Sequence, residues 1–173
     1  MSSTTTDAGT DLFITGLRNQ HAVENQAVSL LSRQVERLEN YPEMEARMRQ
    51  HIDESKMHAQ RLEELLAKFG ESHSALKDAG LSFMGNMAAM AHTVAQDEVI
   101  KNTLANFAFE HYEIAAYKSL LTLAERVGQS GAEAALKQNL QDEIAMAQWI
   151  DQHIGPTTLR FLELSRSGQK AGV

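Results

Sequence analysis

The stretch FEHYEIAAY, residues 109–117, lies in the middle of a long helical pattern and places two carboxylates where a core needs apolar residues. Glu110 and Glu113 are three residues apart, so on a helix they share one face with Tyr117, one turn further on, and with Leu120 beyond it. A buried carboxylate without a partner is costly, so such groups are expected to have a shifted pKa, a charged neighbour or a bound metal ion. The stretch therefore predicts a buried polar site inside a helical protein.

The composition is typical of one all-helical domain. The chain has 173 residues, 43% of them hydrophobic, only 6% aromatic and only two proline. This length suits a single domain with a sizeable core, and the content of Ala, Leu, Glu, Gln and Met favours helices. No apolar run approaches the ~20 residues of a membrane span. We therefore expect an all-α fold and no membrane partner.

Charge and cysteine content exclude several classes of function. The formal net charge is −7 and Lys and Arg are not clustered, which argues against a nucleic-acid partner. Cysteine is absent, so the chain has no disulfide, no thiolate metal site and no cysteine nucleophile. The polar residues 1–9 do not resemble a signal peptide. These features predict a cytoplasmic protein.

Apolar residues in steps of three and four predict four long helices. The expected caps are Thr10 or Asp11 for the first helix and a capping box of Ser130 and Glu133 for the fourth. The first three predicted helices span about residues 10–39, 43–69 and 96–127, and the fourth follows Ser130 and ends at about Ile154. A long crossover is predicted at 71–96, and a short C-terminal helix at 159–165 after Gly155-Pro156. The predicted organisation is a disordered tail at 1–9, a bundle domain at 10–166 and a loose tail at 167–173.

Each long helix carries a carboxylate in its apolar stripe and near its centre, so in an antiparallel bundle all four reach the same level. An inward-facing set of this kind is the di-metal arrangement of ferritin-like bundles. Carboxylates suit Fe or Mn, and one histidine adds a nitrogen ligand. The predicted metal ligands are Glu24, Glu54, His58, Glu110, Glu113 and Glu143. We expect two iron ions, with Mn or Zn as alternatives, and expect Glu110 and Glu54 to bridge them or lie next to the bridge.

Other polar residues of the stripes have simpler interpretations. His21 and His51 are expected to be hydrogen-bonded interior or boundary residues rather than ligands, and His111 lies off the face that Glu110 defines. Tyr117 is expected in the core with its hydroxyl hydrogen-bonded. A single glutamate in a stripe is often a boundary residue whose carboxylate reaches water. The coincidence across four helices favours a site.

Three motifs resemble the YciE/YciF group of bacterial ferritin-like proteins: HIDES at 51–55, EHYEIAAY at 110–117 and LAER at 123–126. The resemblance covers about residues 11–151. It implies a ferritin-like four-helix bundle, a di-iron site, a link to bacterial stress responses and a homodimer. The activity of that group is not settled, so the resemblance supplies no reaction.

Two positions depart from the ferritin-like pattern. The usual Glu-x-x-His becomes Glu54-x-x-x-His58, with Met57 where the histidine is usual, and an acidic residue common in the family is missing near Ala147.

Two functions therefore stay open. One is a di-iron protein with oxidase, peroxidase or ferroxidase-like chemistry on dioxygen or peroxide, for which a vacant coordination position is needed. The other is a structural or interaction bundle whose metal site serves stability.

Overall fold

The computed structural model describes residues 7–71 and 97–172, which form four long helices and no strand. The helices are α1 (Ala8–Val35), α2 (Pro42–Ala67), α3 (Glu98–Arg126) and α4 (Glu133–Ser167), with a 3-10 turn at Ser130–Ala132 before α4. The prediction of an all-α four-helix bundle is confirmed. The predicted crossover lies outside the described residues except for residue 71, and so does most of the predicted N-terminal tail.

Helix ends follow some of the sequence signals and not others. Gly70 and Gly128 take the left-handed conformation with φ of 77° and 72°, as expected for glycines that end helices. The two predicted caps are wrong. Helix α1 begins at Ala8, before Thr10, and α4 has Ala132 at its N-cap position, with no side-chain hydrogen bond at either cap. The 3-10 turn takes the place of the capping box, because it satisfies backbone groups at the start of α4.

Interhelical contacts define the directions of the helices. Near the start of α1, Arg18 Nε donates to Glu71 Oε2, just beyond the end of α2, at 2.8 Å. Near the end of α1, Asn106 of α3 donates to Gln34 at 2.8 Å. Helix α1 is therefore antiparallel to α2 and to α3, so α2 and α3 are parallel. As a result α2 ends at one end of the bundle and α3 begins at the other.

The core consists of two apolar clusters with a polar layer between them. The first cluster surrounds Phe13, Leu17, Leu66 and Leu136, and the second surrounds Met48, Val99, Met146, Ile150 and Leu164. Full burial of such a side chain contributes about 1.5–3 kcal/mol. The two clusters therefore provide the stability that allows polar groups to be buried between them.

The predicted end of the fourth helix at Ile154 is wrong, because α4 continues through Gly155 and Pro156 to Ser167. Proline removes one backbone hydrogen bond and crowds the preceding turn. Gly155 brings no side chain to that turn, and the hydroxyl of Thr158 donates to the Ile154 carbonyl at 2.8 Å. The segment predicted as a separate short helix is thus the last part of α4, anchored by Leu164 in the second cluster.

The end of the described chain is held by the loop between α1 and α2. Tyr41 is a buried residue whose hydroxyl donates to the carbonyl of Ala171 at 2.7 Å, and Asn40 donates to the carbonyl of Lys170 at 2.8 Å. These bonds lie within the segment that the sequence predicts to be a loose tail. They fix the C-terminal end of the chain against the second cluster.

We expect Tyr41→Phe to lower the free energy of unfolding by about 0.5–1.5 kcal/mol, because it removes one hydrogen bond and keeps the ring. Urea denaturation of the metal-free protein measures this change. Tyr112→Phe is the control, since Tyr112 is 48% exposed, and it should change stability by less than about 0.5 kcal/mol. Equal midpoints for Tyr41→Phe and the parent protein would show that the bond to Ala171 contributes nothing.

Candidate metal centre

The polar layer begins with the inward face of α2. His51, Ser55 and His58 follow one another in steps of four and three, so they lie on one side of the helix, and all three are fully buried. Apolar residues occupy the same face on either side, with Met48 in the second cluster and Leu62 in the first. The polar residues of α2 are therefore confined to the middle of the bundle.

Two groups of side chains form around these histidines. In one group, His58 Nδ1 lies 2.8 Å from Glu143 Oε1 and 3.4 Å from Glu24 Oε2. In the other, His51 Nε2 lies 3.2 Å from Glu110 Oε2 and 3.5 Å from Glu143 Oε2. Glu143 thus offers one oxygen to each group. Each group has the size and the donor types to hold one metal ion.

The atoms that face the centre lack hydrogen bonds. In the described part of the chain, eleven buried side-chain atoms have no hydrogen-bond partner, and eight of them belong to this layer. These are Glu24 Oε2, His51 Nε2, Ser55 Oγ, His58 Nδ1, Glu110 Oε2, Glu113 Oε2 and both carboxylate oxygens of Glu143. Several lie in close contact with one another but not in hydrogen-bonding geometry. Buried polar atoms are nearly always paired, so this concentration fits a set of metal ligands.

The outward nitrogen of each histidine contacts a second carboxylate. His58 Nε2 lies 3.0 Å from Asp142 Oδ2, and His51 Nδ1 lies 2.9 Å from Glu54 Oε2. Such contacts orient the ring and leave its other nitrogen facing inward. Glu54 also accepts hydrogen bonds from Arg47 at 3.0 Å and Gln50 at 2.7 Å.

A second set of hydrogen bonds orients Glu24. The hydroxyl of Tyr117 donates to Glu24 Oε1 and itself accepts a hydrogen bond from Asn139 at 3.0 Å. Arg61 donates to Asn139 Oδ1 at 2.8 Å. Gln20 donates to Glu24 Oε1 at 3.2 Å, so one oxygen of Glu24 is occupied and Oε2 is left for the centre.

The electrostatics reflect four carboxylates close to two imidazoles. Burial alone would lower the histidine pKa values, but Glu110 and Glu54 raise the pKa of His51 to about 10, and Glu143 and Glu24 raise that of His58 to about 10. Burial raises the pKa of Glu143 to about 8, although the contact with His58 lowers it. Without a cation the layer therefore holds extra protons, which a metal ion would have to displace.

Glu113 is fully buried among other carboxylates. Its Oε1 accepts a hydrogen bond from Gln20 at 3.4 Å, and its Oε2 has no partner. Burial, followed by the charges of Glu143, Glu24 and Glu110, raises the pKa of Glu113 well above its usual value. Glu113 faces the same layer but belongs to neither group of three.

The structure brings five of the six predicted ligands to one layer, namely Glu24, His58, Glu110, Glu113 and Glu143. The sixth, Glu54, lies behind His51 instead of beside the inward atoms. Glu143, and not Glu110 or Glu54, is the residue shared by both groups. The roles of all six residues as metal ligands stay predictions.

Sequence reasoning missed His51 as a member of the inner set, although its place in the stripe with Ser55 and His58 is a usable signal. It also missed Asn139 and Gln20, which are 0% and 2% exposed. Gln20 donates to Glu24 and Glu113, and Asn139 donates to the hydroxyl of Tyr117. The structure also describes the two positions at which the sequence departs from the ferritin-like pattern. Met57 is exposed and Ala147 is buried. The second imidazole near the inward carboxylates is that of His51, 3.2 Å from Glu110.

Comparison with known proteins places this bundle in a family. The profile of the domain of unknown function DUF892 matches residues 9–163. The chain belongs to the DUF892 family. Protein YciF of Escherichia coli strain K12 is 29% identical to this DUF892 chain over 146 residues, which are 78% of this chain and 83% of the relative. The predicted resemblance to the YciE/YciF group is thereby confirmed.

Solved structures share the fold of this DUF892 chain. A protein of Xanthomonas campestris pv. campestris is 25% identical, with a TM-score of 0.77 over 92% of this chain and 99% of the other. The Escherichia coli stress protein YciF gives 24% identity and a TM-score of 0.65 over 86% and 96%. YcfI of Rhodopseudomonas palustris, for which a structural role has been suggested, gives 24% and 0.66 over 87% and 98%. None of the helices described in this DUF892 chain is long and apolar enough to cross a membrane.

Proposed function

We propose that the polar layer binds two transition-metal ions, with iron the preferred metal. The observation that carries this proposal is the convergence of eight buried side-chain atoms without hydrogen-bond partners between the two apolar clusters. One ion would lie among Glu24, His58 and Glu143, and the other among His51, Glu110 and Glu143. Glu113 is available as a further oxygen ligand for either ion.

The donor set favours iron or manganese over other metals. Carboxylate oxygens predominate, two imidazole nitrogens add to them, and the chain has no cysteine to select zinc or copper through sulfur. The ligands are fixed before binding, because Gln20 and Tyr117 hold Glu24 while outer carboxylates hold the two histidines. The inner residues are buried between the two apolar clusters. A bound iron pair would supply two electrons to dioxygen or peroxide, the small oxidants that we propose as reactants.

A biological role follows only by similarity. A protein of the same fold is described as a stress protein of Escherichia coli, and we propose that this chain likewise serves a bacterial stress response. A homodimer and a cytoplasmic location are part of the same proposal. The order of events would be metal binding first and oxidant reduction second.

We expect the protein to bind two ferrous ions per chain and to melt at a higher temperature when loaded. Binding to the folded state alone stabilises by about 2.7 kcal/mol at a hundredfold excess over the dissociation constant. For a chain of this size each kcal/mol raises Tm by about 2–4 °C. Anaerobic titration with Fe²⁺, metal analysis after desalting and thermal melts measure these effects. No bound metal and no change in Tm with Fe²⁺, Mn²⁺ or Zn²⁺ would contradict the proposal.

The second candidate is a structural bundle in which the ions serve stability alone. It is favoured by the burial of the inner set, since Glu24, His51, His58 and Glu143 are all fully buried. Adding dioxygen or hydrogen peroxide to the anaerobic ferrous protein separates the two candidates. Rapid oxidation, measured by the change in absorbance, supports chemistry on small oxidants. A ferrous protein that stays unchanged for hours would leave only the structural role.

A further inference from the structure

The two candidate histidines face the centre through opposite ring nitrogens. His58 directs Nδ1 inward, 2.8 Å from Glu143, and Nε2 outward, 3.0 Å from Asp142. His51 directs Nε2 inward, 3.2 Å from Glu110, and Nδ1 outward, 2.9 Å from Glu54. Both rings are fully buried, so neither is free to turn over at no cost.

We propose that Asp142 and Glu54 are positioning residues that fix these opposite orientations and so create two unequal metal positions. The inference rests on the proposed metal binding and deepens it. When a cation takes the inner nitrogen, the outer nitrogen keeps its proton and donates a hydrogen bond to the outer carboxylate. One position then receives Nδ1 and the other receives Nε2. Neither outer carboxylate is itself a ligand.

The contacts of Glu54 argue for this role. Its Oε2 accepts hydrogen bonds from His51 and Arg47, and its Oε1 accepts one from Gln50. Turning the carboxylate inward would break all three. Hydrogen bonds between charged groups are stronger than those between neutral groups. The side chain of Arg47 is only 11% exposed, so water would not fully replace its hydrogen bond to Glu54. Glu54 therefore stays behind His51.

Asp142 has the same function through weaker contacts. It directly precedes Glu143, so the two side chains leave α4 in different directions and reach opposite nitrogens of His58. Its side chain is 33% exposed, and the nearest guanidinium, that of Arg61, is 3.9 Å away. Asp142 is thus fixed by fewer partners than Glu54. The two positions differ both in the nitrogen that they receive and in the rigidity of its support.

The first test reads the nitrogens directly. Nitrogen-15 NMR of the full chain loaded with Zn²⁺, a diamagnetic probe, distinguishes metal-bound from protonated ring nitrogens. We expect His58 to bind through Nδ1 and His51 through Nε2. Binding of both rings through the same nitrogen would overturn the inference, even though it would leave metal binding intact. An absence of any zinc binding would instead contradict the proposed function.

The second test removes the outer carboxylates. We expect Glu54→Ala and Asp142→Ala each to weaken one of two Zn²⁺ binding steps by about 10- to 100-fold in calorimetric titrations, and to leave the other step unchanged. Glu54→Gln should restore most of the loss, because its carbonyl oxygen still accepts from His51. If either alanine variant removed both steps or neither, the inference would be wrong.

A matched control comes from the same helix. Glu63 of α2 also contacts a histidine, with His21 Nε2 3.0 Å from its Oε1, but His21 belongs to neither group. Glu63→Ala should leave both binding steps as they are in the parent protein. Melting curves of the metal-free variants show whether a change in affinity reflects the site or a general loss of structure. A loss of affinity in Glu63→Ala equal to that in Glu54→Ala would overturn the inference.

Discussion

Glu143→Gln should remove both metal ions, the largest effect that we expect from any single change in the site. Glu143 is fully buried and is the residue present in both groups of ligands, with one oxygen near His58 and the other near His51. A carboxamide keeps the shape of the side chain but offers one weak oxygen ligand in place of two charged ones. Glu24→Gln and Glu110→Gln should each lower the metal content by about one ion per chain, because each residue belongs to one group only.

Metal analysis after anaerobic loading and desalting measures this effect, and circular dichroism checks that the helices persist. Glu36→Gln is the control, because Glu36 is exposed at the end of α1 and should bind metal as the parent protein does. If the Glu143→Gln protein retained one tightly bound ion, Glu143 would not be shared. If it retained two, the centre of the bundle would not be the site.

Glu113→Gln should make the metal-free protein more stable, and increasingly so as pH rises. Burial and the neighbouring carboxylates raise the pKa of Glu113 well above its usual value, so the folded protein keeps a proton there that the unfolded chain releases above about pH 4.3. Folding therefore takes up a proton. The free energy of unfolding falls as pH rises from the unfolded pKa towards the folded one, by up to about 1.4 kcal/mol per pH unit. Glutamine does not titrate, so the variant avoids this loss.

Urea denaturation in the presence of a chelator, at about pH 5 and about pH 7, measures the difference. We expect the variant to gain on the order of 1–3 kcal/mol relative to the parent protein between the two values. Glu36→Gln should follow the parent at both. A difference between Glu113→Gln and the parent that stays constant with pH would show that Glu113 is ionised in the folded protein.

Periodicity was sufficient to predict most of the fold and much of the candidate site. Stripes with steps of three and four predict all four helices, and one glutamate in mid-stripe on each of α1, α3 and α4 predicts the three carboxylates of the two groups. This succeeds because an antiparallel bundle brings helix centres to one level whatever the details of packing. The glycine stop signals at Gly70 and Gly128 succeed for a similarly local reason, since both take positive φ.

Sequence patterns were not sufficient where tertiary contacts determine which side chain faces inward or where a helix ends. Glu54 and His51 are three residues apart on the same helix, and only the neighbouring helix and Arg47 determine which of them faces inward. Pro156 is a stop signal by itself, but the second cluster holds Leu164 and the helix continues. Asn139 and Gln20 carry no signal in their own stripes, because part of what they bond lies on another helix: Asn139 donates to Tyr117, and Gln20 donates to Glu113 as well as to Glu24.

Anomalous diffraction from crystals of the iron-loaded protein, collected at the iron absorption edge, tests the central claim most directly. We predict two peaks between the apolar clusters, one within bonding distance of Glu24, His58 and Glu143 and the other within bonding distance of His51, Glu110 and Glu143. Iron found only at the surface, or no peak in the polar layer of crystals soaked with excess Fe²⁺, would contradict the account.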